Sequence, residues 1–204
     1  MVWKSAFLLL AVGSLTLARG ESVEEAFEAA QIVPDYIPTA PQCSIQVEYT
    51  SGVEADLGNE LTPTQVKDMP TVTYDADPDK FYTLALVDHD APSRESPTLA
   101  EFLHWSVGNI PGNKVADGET LAEYIGSAAP AGTGFHRYVF LLYEQPKSLC
   151  FDEPRLNNTS MANRTMFSIY DFSEKYEFGS PKAGNFYLAQ YDEYVDVLTA
   201  QLNG

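Results

Sequence analysis

Two dense apolar segments constrain the fold of this chain more than any other feature. Phe81 to Val87 and Tyr138 to Tyr143 are almost wholly apolar and are bounded by proline, glycine or charged residues. Such runs, rich in aromatic and β-branched side chains, are typical of central strands in a sandwich or a large sheet. Shorter segments at 44–49 and 71–74 alternate apolar and polar residues, as half-buried strands do. The sequence therefore predicts a core made of β-strands.

Helical patterns are few and short. Ser22 and Glu25 fit a capping box that begins a short N-terminal helix, and Thr62-Pro63 predicts a single helical turn. Residues 194–202 place apolar side chains at helical spacing, which predicts a C-terminal helix. Because no repeat, heptad pattern or low-complexity linker interrupts the chain, we expect one domain over residues 21–204, with an all-β core and peripheral helices.

The first twenty residues have the pattern of a secretory signal peptide. Lys4 supplies a positive n-region, an apolar stretch follows, and Ala18-Arg19-Gly20 provides a cleavage site with small residues. The apolar stretch is too short to span a bilayer. We therefore expect residues 1–20 to be removed and the mature protein to be secreted and extracellular, with no transmembrane segment.

The chain is strongly acidic. Its 12 Lys and Arg oppose 29 Asp and Glu, which gives a formal charge of -17. Removing residues 1–20 takes away Lys4 and Arg19 and no acidic residue, so the charge of the mature chain falls from -17 to -19. A negative field repels phosphate backbones and anionic membranes, so we expect no nucleic-acid partner. Recognition of a phosphorylated ligand must therefore be local.

An oxidising compartment bears on two further features. The two cysteines, Cys43 and Cys150, are candidates for one disulfide closing a loop of about a hundred residues, and the alternative is two buried free thiols. Asn157, Asn158 and Asn163 each begin an Asn-X-Ser/Thr sequon and are candidate N-glycosylation sites.

The three histidines are the candidate functional residues, because each lies beside other polar groups at the end of a predicted strand. His89 stands between Asp88 and Asp90 directly after the first dense run, His104 precedes a tryptophan, and His136 precedes the second dense run. Two carboxylates with two or three histidines indicate a divalent metal site, a general acid/base pair or an anion-binding pocket. Spacing alone does not choose among these, and His89 and His136 also fit structural roles.

Two separated motifs narrow this choice. Residues 88–94 read Asp-His-Asp-Ala-Pro-Ser-Arg, and residues 134–138 read Gly-Phe-His-Arg-Tyr. The chain resembles the phosphatidylethanolamine-binding protein family, also called the Raf kinase inhibitor protein family, whose first motif has proline where this chain has His89. Segments at 61–65, 104–112, 150–154 and 181–185 continue the match in the family's order, so the resemblance covers nearly the whole mature chain.

The resemblance implies a large central antiparallel sheet with a smaller sheet packed on it, flanking helices and a small pocket near the surface. It also implies which residues line that pocket. These are Asp88, Asp90, His104, Gly126, Pro130, His136, Tyr138 and Tyr187. Where the family has Gly-Pro-Pro in the rim, this chain has Ala128-Ala129-Pro130, so we expect a differently shaped rim.

Such a pocket favours binding over catalysis. Imidazolium groups at His104 and His136 and the Tyr138 hydroxyl are donors for a phosphoryl or carboxylate group, and Asp88 is an acceptor for an ammonium. We therefore expect a secreted, monomeric, non-catalytic protein with no cofactor and no metal. Its expected ligand is a phosphorylated or zwitterionic small molecule, such as a phosphatidylethanolamine headgroup.

Two other functional classes stay open. A hydrolase would use Asp88 and Asp90 with His104 and His136, with or without a metal, but the sequence has no evident nucleophile signature. The family also includes inhibitors of serine proteases and of signalling kinases, which makes a protein partner the second alternative. Secretion disfavours a cytosolic kinase as that partner.

Overall fold

The computed structural model describes residues 22–203, which contain nine strands and three α-helices. The strands are β1 (Cys43–Ser44), β2 (Gln46–Glu48), β3 (Asn59–Glu60), β4 (Thr71–Thr73), β5 (Phe81–Asp88), β6 (Phe102–Pro111), β7 (Glu119–Ala122), β8 (His136–Gln145) and β9 (Ala183–Ala189). The helices are α1 (Val23–Ala29), α2 (Ile169–Lys175) and α3 (Tyr194–Leu202). The predicted signal peptide, residues 1–20, lies outside the described residues.

Seven strands form a large sheet, in the order β1-β9-β8-β5-β6-β7 with β3 also beside β9, and β2 and β4 form a smaller one. The central strands pair antiparallel, as predicted. The two-residue strands β1 and β3 pair parallel with β9, so the large sheet is mixed and not wholly antiparallel. These short edge strands contain no apolar alternation, and their direction therefore left no signal in the sequence.

The large sheet is buried on both faces, which explains the two dense apolar runs. On one face, Leu84 of β5 belongs to a core that includes Val47 and Val72 of the smaller sheet. On the other face, the neighbouring Ala85 belongs to a core that includes Phe27 of α1. Because successive residues of a strand point to opposite faces, a strand covered on both sides must be apolar throughout.

The predicted helices are present at both ends. Ser22 Oγ accepts a hydrogen bond from the Glu25 backbone N–H at 3.2 Å, and Ser22 N donates to the Glu25 carboxylate at 2.9 Å, which completes the capping box of α1. Thr62 and Gln65 close the predicted turn with two reciprocal bonds. Helix α3 buries its periodic apolar residues, and α2 was not predicted. None of the helices within residues 22–203 has the length and apolarity needed to cross a bilayer.

The cysteines do not form the predicted disulfide. Cys43 and Cys150 are both free and exposed. Cys43 pairs with β9 at one edge of the sheet, whereas Cys150 follows Leu149, which is hydrogen-bonded to Asn109 of β6. Four strand spacings of about 4.8 Å lie between β1 and β6. That separation exceeds the roughly 7 Å between Cα atoms that a disulfide allows.

Candidate functional site

The candidate site lies where three neighbouring strands of the large sheet end. Because β5 runs antiparallel to both β6 and β8, its last residue meets their first residues. Asp88 is in register with Phe102 of β6 and with Tyr138 of β8. His104 follows Phe102 by two residues and lies on the same face, with the two ring centroids 4.7 Å apart. Polar residues that are distant in sequence therefore meet at one end of these three central strands.

These strand ends and the adjoining loops enclose a cavity of about 140 Å³. Its lining residues are Asp88, Ala91, Pro92, Leu99, Phe102, His104, Ala128, Pro130, His136, Met161 and Thr165. The structure thus brings together four of the predicted pocket residues, namely Asp88, His104, Pro130 and His136. Ligand binding by these residues stays a prediction.

Asp88 and His136 form a buried pair on the cavity floor. His136 Nδ1 lies 2.8 Å from Asp88 Oδ2, and His136 Nε2 lies 2.9 Å from Thr133 Oγ1. The Thr133 hydroxyl donates to the Pro130 carbonyl at 2.8 Å, because a carbonyl can only accept. Both ring nitrogens of His136 are therefore engaged, one by a carboxylate and the other by a hydroxyl. The floor thus contains one carboxyl group and one imidazole in direct contact.

His104 is buried and neutral. Its side chain is 1% exposed, and Nδ1 lies 3.0 Å from the Ile125 carbonyl, so Nδ1 holds a proton. Burial lowers the pKa of His104 to about 4, and the nearby charge of Asp88 offsets only part of this effect. The ring is therefore neutral at pH 7, and its Nε2 is an acceptor. The expectation of an imidazolium donor at His104 is corrected, because burial outweighs the neighbouring carboxylate.

Tyr138 and Tyr187 lie behind the cavity lining instead of in it. Both are fully buried, and their rings stack with centroids 5.1 Å apart. The Tyr138 hydroxyl accepts from the Ala128 N–H at 3.2 Å, and the Tyr187 hydroxyl pairs with the Ser127 hydroxyl at 2.8 Å. Burial raises the pKa of both phenols, which keeps them neutral. Through these contacts the two tyrosines hold the rim segment that begins at Gly126. Gly126 itself is absent from the cavity lining.

Asp90 does not line the cavity, which corrects the prediction made for it. Its oxygens accept from Arg137 Nε at 2.8 Å, from Arg137 Nη2 at 2.5 Å and from the Arg137 backbone N–H at 2.8 Å. Burial would raise the pKa of Asp90, but the hydrogen bonds and charge of Arg137 outweigh burial and lower it. The carboxylate is therefore committed to an internal ion pair.

Comparison with known proteins agrees with this arrangement of fold and cavity. Residues 40–176 match the family model described as phosphatidylethanolamine-binding protein. The chain belongs to the phosphatidylethanolamine-binding protein family. A Drosophila melanogaster relative named odorant-binding protein A5 is 34% identical over 203 residues, covering 98% of this chain and 97% of the relative.

Two other similar proteins have names that bear on function. A Toxocara canis protein named 26 kDa secreted antigen is 43% identical over 166 residues, which cover 80% of this chain and 63% of the antigen. A solved structure described as carboxypeptidase Y inhibitor complexed with the cognate proteinase has a TM-score of 0.72 and 25% identity, covering 83% of this chain and 95% of that chain. Binding and inhibition are thus the activities named among similar proteins.

His89, the residue that replaces the family's proline, also points away from the cavity. It is fully buried, and its ring stacks on Tyr36 with centroids 4.0 Å apart. Its Nδ1 lies 2.7 Å from Glu101 Oε1, a charge contact whose angles do not meet those of a hydrogen bond. His89 therefore contributes to internal packing.

The apolar part of the lining was not predicted from the sequence. Leu99 and Met161 belong to irregular loops, which the hydrogen bond from Met166 N to the Leu99 carbonyl joins at 3.0 Å. Arg164, whose guanidinium is buried, donates to the carbonyl of His104 and to three others, which fixes the second loop against β6. Neither loop shows periodicity, so only the fold reveals that these residues meet.

The second loop also contains the three sequons. Asn157, Asn158 and Asn163 are all exposed, and the same loop supplies Met161 and Thr165 to the cavity. Their glycosylation stays a prediction. Among residues 22–203, the structure contains no group of three His, Cys, Asp or Glu side chains positioned to hold a metal ion.

Proposed function

We propose that this family member is a secreted, non-catalytic binding protein whose residues 21–204 act as one domain. Its cavity takes a zwitterionic headgroup of the phosphorylethanolamine type. The observation that carries this proposal is the pairing of an acid with a histidine on the floor. Asp88 supplies a carboxyl group and His136 an imidazole 2.8 Å away, and no Lys or Arg is among the lining residues. An acid and an imidazole without a neighbouring Lys or Arg favour a ligand that has both a cationic and an anionic group over a phosphate dianion.

Each end of such a ligand has a chemical counterpart on the floor. The carboxylate of Asp88 and the acceptor Nε2 of His104 suit an ethanolammonium, which has only donors. A phosphoryl oxygen can replace the Thr133 hydroxyl as the partner of His136 Nε2, because an imidazole N–H donates well to such oxygens. The relative named as an odorant-binding protein supports a small-molecule ligand, and the relative named as a secreted antigen supports an extracellular location.

A hydrolase would need a nucleophile, and the geometry offers one candidate. Asp88, His136 and Thr133 lie in a row with contacts of 2.8 Å and 2.9 Å, which resembles an acid, histidine and hydroxyl triad. The Thr133 hydroxyl, however, donates to the Pro130 carbonyl, so in this arrangement its proton is directed away from His136. Binding therefore fits this hydrogen-bond pattern better than catalysis.

Inhibition of a protease is the second candidate function. It is favoured by the similarity to the carboxypeptidase Y inhibitor, which extends over 83% of this chain. That function would use the outer surface of the protein and would not require a ligand in the cavity. Binding of the headgroup therefore discriminates between the two candidates.

Calorimetric titration of the secreted protein with phosphorylethanolamine tests the proposal. We expect saturable binding that Asp88→Asn and His136→Ala each weaken at least about tenfold, since each variant removes a hydrogen-bonding partner of the ligand. Asp35→Asn is the matched control, because Asp35 is an exposed acid outside the lining, and it should bind as the parent does. Thermal melts verify that each variant is folded. Unchanged affinity in both floor variants would show that the cavity is not the binding site.

A further inference from the structure

A groove beside the C-terminal end of helix α1 is a second concave site on the protein. Its volume is about 290 Å³. Small and apolar residues of α1, of the turn at 57–58 and of β9 line it together with two arginines, Arg94 and Arg137. None of its lining residues lines the cavity at the strand ends, so the groove is a separate site.

One wall of the groove is apolar. Phe186 of β9 packs against Phe27 of α1 with the ring centroids 5.3 Å apart, but α1 ends at Ala29. Leu188, which lies two residues further along the same face of β9, and Leu57 are only partly buried. Hydrocarbon surface of this sheet face is therefore accessible in the groove.

The two arginines of the groove differ in how their charges are balanced. Arg137 donates to the Asp90 carboxylate through Nε and Nη2, and its Nη1 donates to the carbonyls of Ala30 and Gln31. Arg94 Nη2 donates to the same Ala30 carbonyl at 3.3 Å and to Gln31 Oε1 at 2.9 Å. Within residues 22–203, Arg94 forms no ion pair, and its Nε and Nη1 have no hydrogen-bond acceptor. The groove thus contains one positive charge that no ion pair balances.

This positive charge contrasts with the rest of the molecule. The chain has 12 Lys and Arg against 29 Asp and Glu, and no Lys or Arg lines the cavity at the strand ends. Because a negative chain repels anions in general, an anion binds best where a cation is locally in excess. The groove at Arg94 is such a place.

We infer that this groove is a second ligand site, which binds an aliphatic carboxylate with a short alkyl chain. The carboxylate accepts charge-assisted hydrogen bonds from Arg94, and the alkyl chain lies against Leu57 and Leu188. A phosphate dianion would need a second free cation, which the groove lacks because Arg137 is paired with Asp90. Since the site is separate from the cavity, this inference does not depend on the proposed headgroup.

A small molecule fits the groove better than a protein does. Pockets for small ligands have volumes of roughly 300–1,000 Å³, so a site of about 290 Å³ is at the lower end of that range. A stable protein interface buries about 800 Å² on each partner, and it normally contains more than one charged anchor. One free guanidinium beside a short apolar wall matches a single monoanionic amphiphile.

Calorimetric titration with octanoate and with octanol tests the inference. The two probes have the same number of carbon atoms, and only octanoate is charged. We expect octanoate to bind saturably and at least about tenfold more tightly than octanol, because hydrogen bonds to a charged group are stronger than neutral ones.

A variant of the free arginine locates the carboxylate. Arg94→Gln should weaken the binding of octanoate at least about tenfold and leave the affinity for octanol unchanged. Arg155→Gln is the matched control, because it removes the same charge from an exposed position outside the groove, and it should bind octanoate as the parent does. Thermal melts verify that both variants are folded.

An isosteric pair at Ala29 tests the position of the ligand in another way. Ala29 is an exposed residue of α1 that lines the groove, and both Glu and Gln are good helix formers. Ala29→Glu places a competing carboxylate in the groove and should weaken the binding of octanoate about fivefold, whereas Ala29→Gln should keep it within about twofold of the parent.

Three outcomes would overturn the inference. The first is octanoate binding that Arg94→Gln and Ala29→Glu both retain, because the ligand would then lie elsewhere. The second is equal affinity of the parent for octanoate and octanol, since the guanidinium would then take no part. The third is the absence of saturable octanoate binding, which is the result expected if the groove contacts a protein. The headgroup proposal is tested independently, and Arg94→Gln should bind phosphorylethanolamine as the parent does.

Discussion

Asp88 and Asp90 are two residues apart at the end of β5, and both are buried, but they meet different kinds of partner. Asp88 lines the cavity and contacts the imidazole of His136 through one oxygen. Asp90 lies outside the lining and binds Arg137 through both of its oxygens, and a guanidinium stays charged at any pH at which proteins fold. One carboxylate is therefore available to a ligand, whereas the other is fixed.

A functional carboxylate can be distinguished from a structural one by the hydrogen-bond acceptor positions that it leaves unused. An ionised carboxylate has about four acceptor positions. The oxygens of Asp90 accept three hydrogen bonds from Arg137. The oxygens of Asp88 accept one from the Asp90 N–H and face one nitrogen of His136. Asp88 thus keeps more capacity and directs it into a cavity.

The two carboxyl groups should differ most in how much each contributes to the stability of the fold. Asp90→Asn should lower the free energy of unfolding by about 3–5 kcal/mol, because it leaves the buried Arg137 without its counter-charge. Asp88→Asn should cost less, about 1–2 kcal/mol, since Asn keeps one acceptor for the Asp90 N–H and an imidazole, unlike a guanidinium, can be neutral. Urea unfolding at pH 7 measures both values. Equal losses in the free energy of unfolding would show that the two carboxyl groups do not differ in this way.

The pH dependence of the Asp90 pair follows from its lowered pKa. A carboxyl whose pKa in the folded state lies below its ordinary value of 3.8 contributes stability above that pH. The contribution is lost as the pH falls through the lower folded-state pKa. The difference between Asp90→Asn and the parent should therefore be constant from pH 5 to 7 and shrink only in strong acid.

Much of the fold could be predicted because its signals are local. The capping box at Ser22 and the dense runs in β5 and β8 each specify their own element. Helix α2 was missed because its apolar residues pack on a core assembled from distant segments. The parallel edge strands were missed because two residues such as Cys43 and Ser44 have no periodicity.

The site was predicted in part for the same reason. Strand ends could be identified in the sequence, so Asp88, His104 and His136 were found. Asp90 was assigned to the cavity because sequence does not show which acid a buried arginine will bind. Met161 was missed because its position depends on how its irregular loop folds back onto β6, and no local pattern encodes such a contact.

The buried, neutral state of His104 should be visible in the pH dependence of stability. Burial lowers the pKa of His104 to about 4 from its ordinary value of 6.5, so the unfolded chain binds a proton at this residue first as the pH falls. Stability should therefore decrease between about pH 6.5 and pH 4, by about 3 kcal/mol from this residue. His104→Asn keeps a donor for the Ile125 carbonyl and should remove this decrease. Parallel stability profiles of parent and variant would contradict a neutral buried ring.

The smallest effect concerns the hydroxyl next to His136. Thr133→Val is nearly isosteric and removes two hydrogen bonds, to the Pro130 carbonyl and to His136, so it should lower the free energy of unfolding by about 2 kcal/mol, and Thr133→Ser should restore most of it. Because the hydroxyl donates to Pro130, we expect neither parent nor variant to hydrolyse p-nitrophenyl acetate faster than buffer does. Hydrolysis that is present in the parent, lost in Val and kept in Ser would instead make Asp88 part of a catalytic triad. Asp88 would then have a catalytic role in place of a binding role, and Asp90 would keep its structural role.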